Sequence, residues 1–79
     1  MYVRFNIDVV VEDLGDEKLL IEMNSGEGYV IDNEAYSLIE CAKEQFIHIN
    51  NIYSGEYTSE ELEEFICDLI SKNVLVKKG

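Results

Sequence analysis

Hydrophobic residues alternate with polar ones at the start of the chain and change to helical spacing after residue 32. Val3, Phe5, Ile7, Val9 and Val11 fall on one side, with Arg4, Asn6, Asp8 and Glu12 on the other. Strict alternation of this kind predicts a half-buried strand. Asp13-Leu14-Gly15-Asp16-Glu17 has the composition of a turn, with Gly15 free to adopt positive φ. Leu19, Ile21 and Met23 alternate with Lys18 and Glu22 in a second strand. Asn24-Ser25-Gly26 reads as the next turn, and residues 27–31 as a third strand. Short connections predict an antiparallel meander with the second strand at its centre.

Asp32 or Asn33 is placed to cap the helix that follows. Ala35, Leu38, Ile39 and Ala42 give that helix its apolar stripe, which continues through Phe46, Ile49 and Tyr53. One long helix or two shorter ones produce this pattern, and a break is favoured near residues 43–45. Thr58-Ser59-Glu60-Glu61 fits a capping box, with Thr58 as the cap and Glu61 reaching back. Leu62, Phe65, Ile66, Leu69 and Ile70 form the apolar face of this last helix, which closes at Lys72-Asn73. Val74-Leu75-Val76 is expected to pack back as a short tail, with frayed residues beyond it. The expectation is α+β: a three-stranded antiparallel sheet followed by a three-helix, winged-helix-like bundle, as one domain over residues 1–79.

Charge narrows the function. The chain carries 17 acidic residues against six Lys and Arg, a net charge of −11. No Lys or Arg occurs from residue 44 to residue 71. Binding phosphate backbones takes clustered basic residues, so direct nucleic-acid binding is disfavoured. Part of the acidity suits the first turn of the last helix, where the helix dipole favours anions. The remainder reads as a solubilising surface or as a field that steers in a basic partner. No apolar run reaches the roughly 20 residues of a membrane span. The N-terminus lacks the apolar core of a signal peptide. The expected location is the cytoplasm, with no membrane partner.

Seventy-nine residues bury only about 60–65% of their unfolded surface, which leaves little room for a deep substrate cavity. Cys41 and Cys67 lie in helical patterns without a C-x-x-C pair, and His48 is the sole histidine. That excludes the usual zinc spacing and predicts reduced, semi-buried thiols. His48 reads as a helix-surface residue. The candidate nucleophiles Cys41, Cys67, Ser37 and Ser71 all fall on predicted helices, away from any glycine-rich turn that could build an oxyanion hole. No catalytic residue, metal ligand or cofactor site emerges, and the protein is expected not to be an enzyme.

Edge strands usually carry charge, proline or a bulge as protection. The first strand has alternating charges, whereas residues 28–31 carry none and the chain has no proline. The third strand is therefore the undefended edge. In the last helix, Glu61, Glu64, Phe65, Asp68 and Lys72 form a stripe beside the core face. This stripe reads as a solvated boundary with Phe65 in the core, or as one wall of a groove whose other wall is the open strand.

The residues Leu19-Leu20-Ile21, a glycine turn, Gly28-Tyr29-Val30-Ile31-Asp32-Asn33-Glu34-Ala35 and Leu38-Ile39 resemble the PqqD family, also called RiPP recognition elements. Leu62, Phe65-Ile66, Leu69 and Asn73-Val74-Leu75 are similar to the closing pattern of that family, with Asn73 in place of a common glycine. Ile31-Asp32-Asn33 stands where the family has Leu-Asn, and Phe46-Ile47-His48-Ile49 departs from its acidic middle helix. The resemblance runs over roughly residues 5 to 76. It implies a three-stranded sheet on a three-helix bundle. It also implies a stand-alone protein that binds the leader of a ribosomally made precursor peptide as an added strand. Such a protein presents the precursor to a modifying enzyme or leader protease, in a radical-SAM or lasso-type pathway, and catalyses nothing itself.

On that reading the leader backbone pairs with Gly28, Tyr29, Val30 and Ile31, and leader side chains enter a groove walled by Glu61, Glu64, Phe65, Asp68, Leu69 and Lys72. Gly28 allows close backbone approach. Ordering a flexible leader costs about 2–5 kcal/mol, which puts expected affinities in the micromolar to sub-micromolar range. Acids at Glu61, Glu64 and Asp68 favour a leader with Lys or Arg. The alternative is a small acidic inhibitor or nucleic-acid mimic that blocks a basic site on a partner protein. An exposed edge also allows a homodimer through strand pairing.

Overall fold

The computed structural model describes all residues from Met1 to Gly79. It is α+β, with two three-stranded antiparallel sheets and two short α-helices. The strands are β1 (Tyr2–Phe5), β2 (Val9–Asp13), β3 (Glu17–Glu22), β4 (Glu27–Asp32), β5 (Ile47–His48) and β6 (Leu75–Lys78). The helices are α1 (Asn33–Ile39) and α2 (Ser59–Ser71). One sheet has the order β5-β1-β6 and the other β2-β3-β4. This overturns the expected single sheet followed by a three-helix bundle.

The first correction lies at Asn6-Ile7-Asp8, where the single predicted strand becomes two. The Asn6 side-chain oxygen accepts from the Asp8 N–H at 3.1 Å, and the Asn6 carbonyl accepts from the Val9 N–H at 3.0 Å. This local turn competes with the extended ladder, as Asn and Asp side chains commonly do. Ile7 is 91% exposed at the corner, although the alternation places it with the core residues. The Asn6 amide then donates to the Asn73 carbonyl at 2.9 Å and ties the corner to the far end of the chain. The meander itself is as expected from residue 9 onward, with β3 central. Gly15, at φ 94°, turns β2 into β3.

The second correction concerns residues 46–53, expected to be helical. Helix α1 is followed by a 3-10 turn at Glu40–Ala42, so helical structure stops near the favoured break. Ile47 and His48 instead pair with Val3 and Tyr2 as β5. The β-branched Ile47 suits a strand better than a helix. The His48 Nδ1 accepts from the Asn50 N–H at 3.1 Å, which caps a second 3-10 turn at Ile49–Asn51. His48 also meets the Tyr2 ring edge-on at 4.9 Å, so it is a strand residue rather than a helix-surface one.

The third correction is the C-terminal tail, which is strand β6, paired with β1 from Phe5↔Leu75 to Tyr2↔Lys78. Helix α2 hands the chain over through Asn73, whose φ is +61°. The Asn73 N–H bonds the Ile70 carbonyl and the Val74 N–H bonds the Leu69 carbonyl, at 3.0 and 2.9 Å. That is the reciprocal pattern by which a left-handed residue closes a helix. The other end of α2 has the expected capping box, with Thr58 and Glu61 bonded in both directions.

Both sheets share one buried cluster. Val3 and Phe5 come from β1, Leu20 from β3, Tyr36 and Ile39 from α1, Ile66 and Leu69 from α2, and Leu75 from β6. Glu22 is the one buried charged residue, and its carboxylate accepts from the Ser25 N–H at 2.6 Å. Lys18 bonds both Asp13 and Asn33, and Asn33 bonds the Gly15 carbonyl, which pins the start of α1 to the β2–β3 turn. Cys41 and Cys67 are both exposed, not semi-buried as expected. No helix is long and apolar enough to cross a membrane.

Candidate functional site

Strand β4 pairs only with β3, so its other edge is open. In an antiparallel ladder the backbone groups of successive residues point in opposite directions. The Leu14 N–H bonds the Glu17 carbonyl and the Met23 N–H bonds the Asp8 carbonyl, so odd-numbered residues of β3 face β2. Lys18, Leu20 and Glu22 therefore face β4, opposite Ile31, Tyr29 and Glu27. The Asn33 N–H to Asp16 carbonyl bond, at 3.3 Å, continues the same series. It follows that Gly28 and Val30 direct their N–H and C=O groups away from the sheet. These are the groups an added strand would use.

Strand β2 is the opposite edge of this sheet. Its charges, Glu12 and Asp13, lie at one end, because Arg4 and Asp8 fall outside it once the first strand divides. Val9, Val10 and Val11 are uncharged, so the contrast in protection between the two edges is smaller than the sequence pattern implies.

The side chains of β4 divide by parity. Gly28 and Val30 lie on the outer face, with Val30 52% exposed. Tyr29 and Ile31 lie on the inner face, half-buried against the core. A Cβ at Gly28 would meet Leu19 Cδ1 at 3.1 Å, a flexible side-chain end.

Tyr29 joins β4 to α2. The Lys72 ammonium sits 5.1 Å from the centre of its ring and 2.7 Å from an Asp68 carboxylate oxygen. The Tyr29 hydroxyl donates to Glu27, which holds the phenol above its usual range. Partial burial and the charges of Glu27, Glu22 and Asp68 push it the same way. Tyr29, Asp68 and Lys72 thus form one contact cluster.

One turn earlier along α2, Glu61, Leu62, Glu64 and Phe65 form one wall of an open cavity of about 390 Å³. Ala35 and Leu38 of α1 form the other wall, with Tyr57 between them. The structure brings Glu61, Glu64 and Phe65 together there. Leu69 is 2% exposed and belongs to the core, where no ligand can reach it.

Sequence reasoning missed Ala35, Leu38, Leu62 and Tyr57 as cavity residues. The first three fall on core-facing stripes, and helical spacing cannot distinguish a buried face from a cleft wall. Tyr57 lies in a loop with no periodicity to locate it. No group of three or more His, Cys, Asp or Glu side chains is arranged to hold a metal ion.

No protein-family model, curated protein or solved structure matches this chain. The resemblance to the PqqD family therefore rests on the residue pattern.

Proposed function

We propose that this chain is a cytoplasmic, non-enzymatic recognition protein that binds an extended peptide by strand addition to β4. The observation that carries this reading is the outward direction of the Gly28 and Val30 backbone groups, on a strand whose Tyr29 ring touches Lys72 at the end of α2. Main-chain pairing supplies affinity independent of sequence, and side-chain pockets supply selectivity. The cavity past Phe65 offers one such pocket, and the Tyr29–Lys72–Asp68 cluster offers polar and aromatic contacts on the same stripe of α2. A ribosomally made precursor is the proposed peptide, bound through its leader and presented to a modifying enzyme or leader protease.

Val30→Pro separates binding from folding. The Val30 N–H faces the open edge, so proline there removes a donor to the added strand and no bond of the β3–β4 ladder. Calorimetric titration uses synthetic N-terminal segments of short peptides encoded beside the gene. Against the bound segment, Val30→Pro should lose about tenfold or more in affinity, as expected for one lost main-chain bond, and keep its circular dichroism spectrum. Unchanged affinity in the folded variant would refute strand addition at β4. If acid-to-amide substitutions spread over the surface instead weakened the interaction gradually, the acidic-inhibitor reading would replace it.

A further inference from the structure

The cavity between α1 and α2 combines apolar walls with an acidic surround. Ala35, Leu38, Leu62 and Phe65 supply aliphatic and aromatic surface, and Tyr57 supplies a second ring. Glu61 and Glu64 stand in its α2 wall. The Tyr57 phenol is held above its usual range by the charges of Asp32, Glu34, Glu56 and Glu61, together with partial burial. Four carboxylates from the α1 cap, α1, the loop and α2 thus act on a single wall residue. Glu34 is held above the ordinary carboxylate range by the charge of Glu56 and by a hydrogen bond to it. Neither ion pair of the chain, Lys18–Asp13 or Lys72–Asp68, supplies a cation to this group.

We propose that this cavity is a subsite for an arginine side chain of the bound peptide. The methylenes would lie against Ala35, Leu38 and Phe65, and the guanidinium would face Tyr57, Glu61 and Glu64. An apolar stem with a planar cationic head matches aromatic and carboxylate surroundings better than a neutral or purely aliphatic side chain does. The identity of the arginine's bearer rests on the peptide-binding reading, but the chemistry of the subsite does not.

A small probe tests the subsite without any strand to add. Butylguanidinium is titrated into the whole protein, and the methyl resonances of Ala35 and Leu38 are followed by NMR. Butylurea and guanidinium ion serve as controls for the head charge and the stem. Saturable shifts are expected, with butylguanidinium binding about fivefold or more tighter than either control, the scale of a partly screened charge contact. Glu61→Gln combined with Glu64→Gln, which removes the wall carboxylates and keeps a capping residue at the start of α2, should erase most of that preference. Ala35→Leu, which fills the cavity, should abolish the shifts while the rest of the spectrum stays dispersed. Equal affinity for all three probes, or shifts that survive Ala35→Leu, would overturn the proposal. Strand addition could fail with this result intact, and the reverse also holds, because the Val30→Pro experiment never uses the probe.

Discussion

At the residue scale, the carboxylates fall into two groups with opposite responses to pH. Asp13 is held below its ordinary value, first by the Gly15 N–H and then by Lys18. Glu22 is also lowered, chiefly by the Ser25 N–H against the opposing effect of burial. A carboxyl lowered on folding contributes stability above its unfolded pKa and loses it as pH falls through the folded value. Glu34 has the opposite sign. Raised by Glu56, it contributes stability below its unfolded pKa and loses it as pH rises through its higher folded value. Carbon-detected titration of the side-chain carboxyls should therefore show Glu34 protonating first as neutral solution is acidified, before Asp13 and Glu22. In Glu56→Gln the Glu34 midpoint should move down toward an ordinary glutamate. A midpoint unmoved by that substitution would mean that Glu56 is not the cause.

At the element scale, structure is legible wherever the determining chemistry is local. Thr58 and Glu61 announce the start of α2, and the bonds they predict are present. Thr58→Ala should cost about 1 kcal/mol, read as a fall in melting temperature of about 4–8 °C for a domain of this size. Asn73 closes the same helix at φ +61°. Glycine bears that conformation without a Cβ penalty, so Asn73→Gly should raise stability by up to about 1 kcal/mol in urea unfolding. A loss of stability on Asn73→Gly would show that its side chain does more than tolerate the bend. Where local signals conflict, the sequence reading fails. The alternation from Val3 to Val11 is unbroken, yet Asn6 and Asp8 form a turn that periodicity alone does not register. Residues 46–53 keep helical spacing of Phe46, Ile49 and Tyr53, but the open side of β1 takes Ile47 and His48 as a strand.

At the scale of the whole molecule, the second sheet depends on pairing between residues 2–5 and 75–78, at opposite ends of the chain. Leu75-Val76-Lys77-Lys78 is too short to declare its partner, and only one of the four is buried. Nothing local marks that pairing, so the sequence suggested a tail. The β2-β3-β4 meander was legible because its turns are short and its central strand is apolar. The candidate site was legible in its backbone, since β4 lies at an edge, and only partly in its side chains. Tyr29, Asp68 and Lys72 meet, while Leu69 is lost to the core and the α1 wall was unforeseen. An amide-resolved NMR titration with the same synthetic peptide segments tests whether β4 receives a peptide. Saturable shifts confined to residues 28–31 and the α2 stripe from Glu61 to Lys72 are the predicted result. A well-dispersed spectrum that no segment perturbs there, or shifts centred on the β2 edge at residues 9–11, would contradict it.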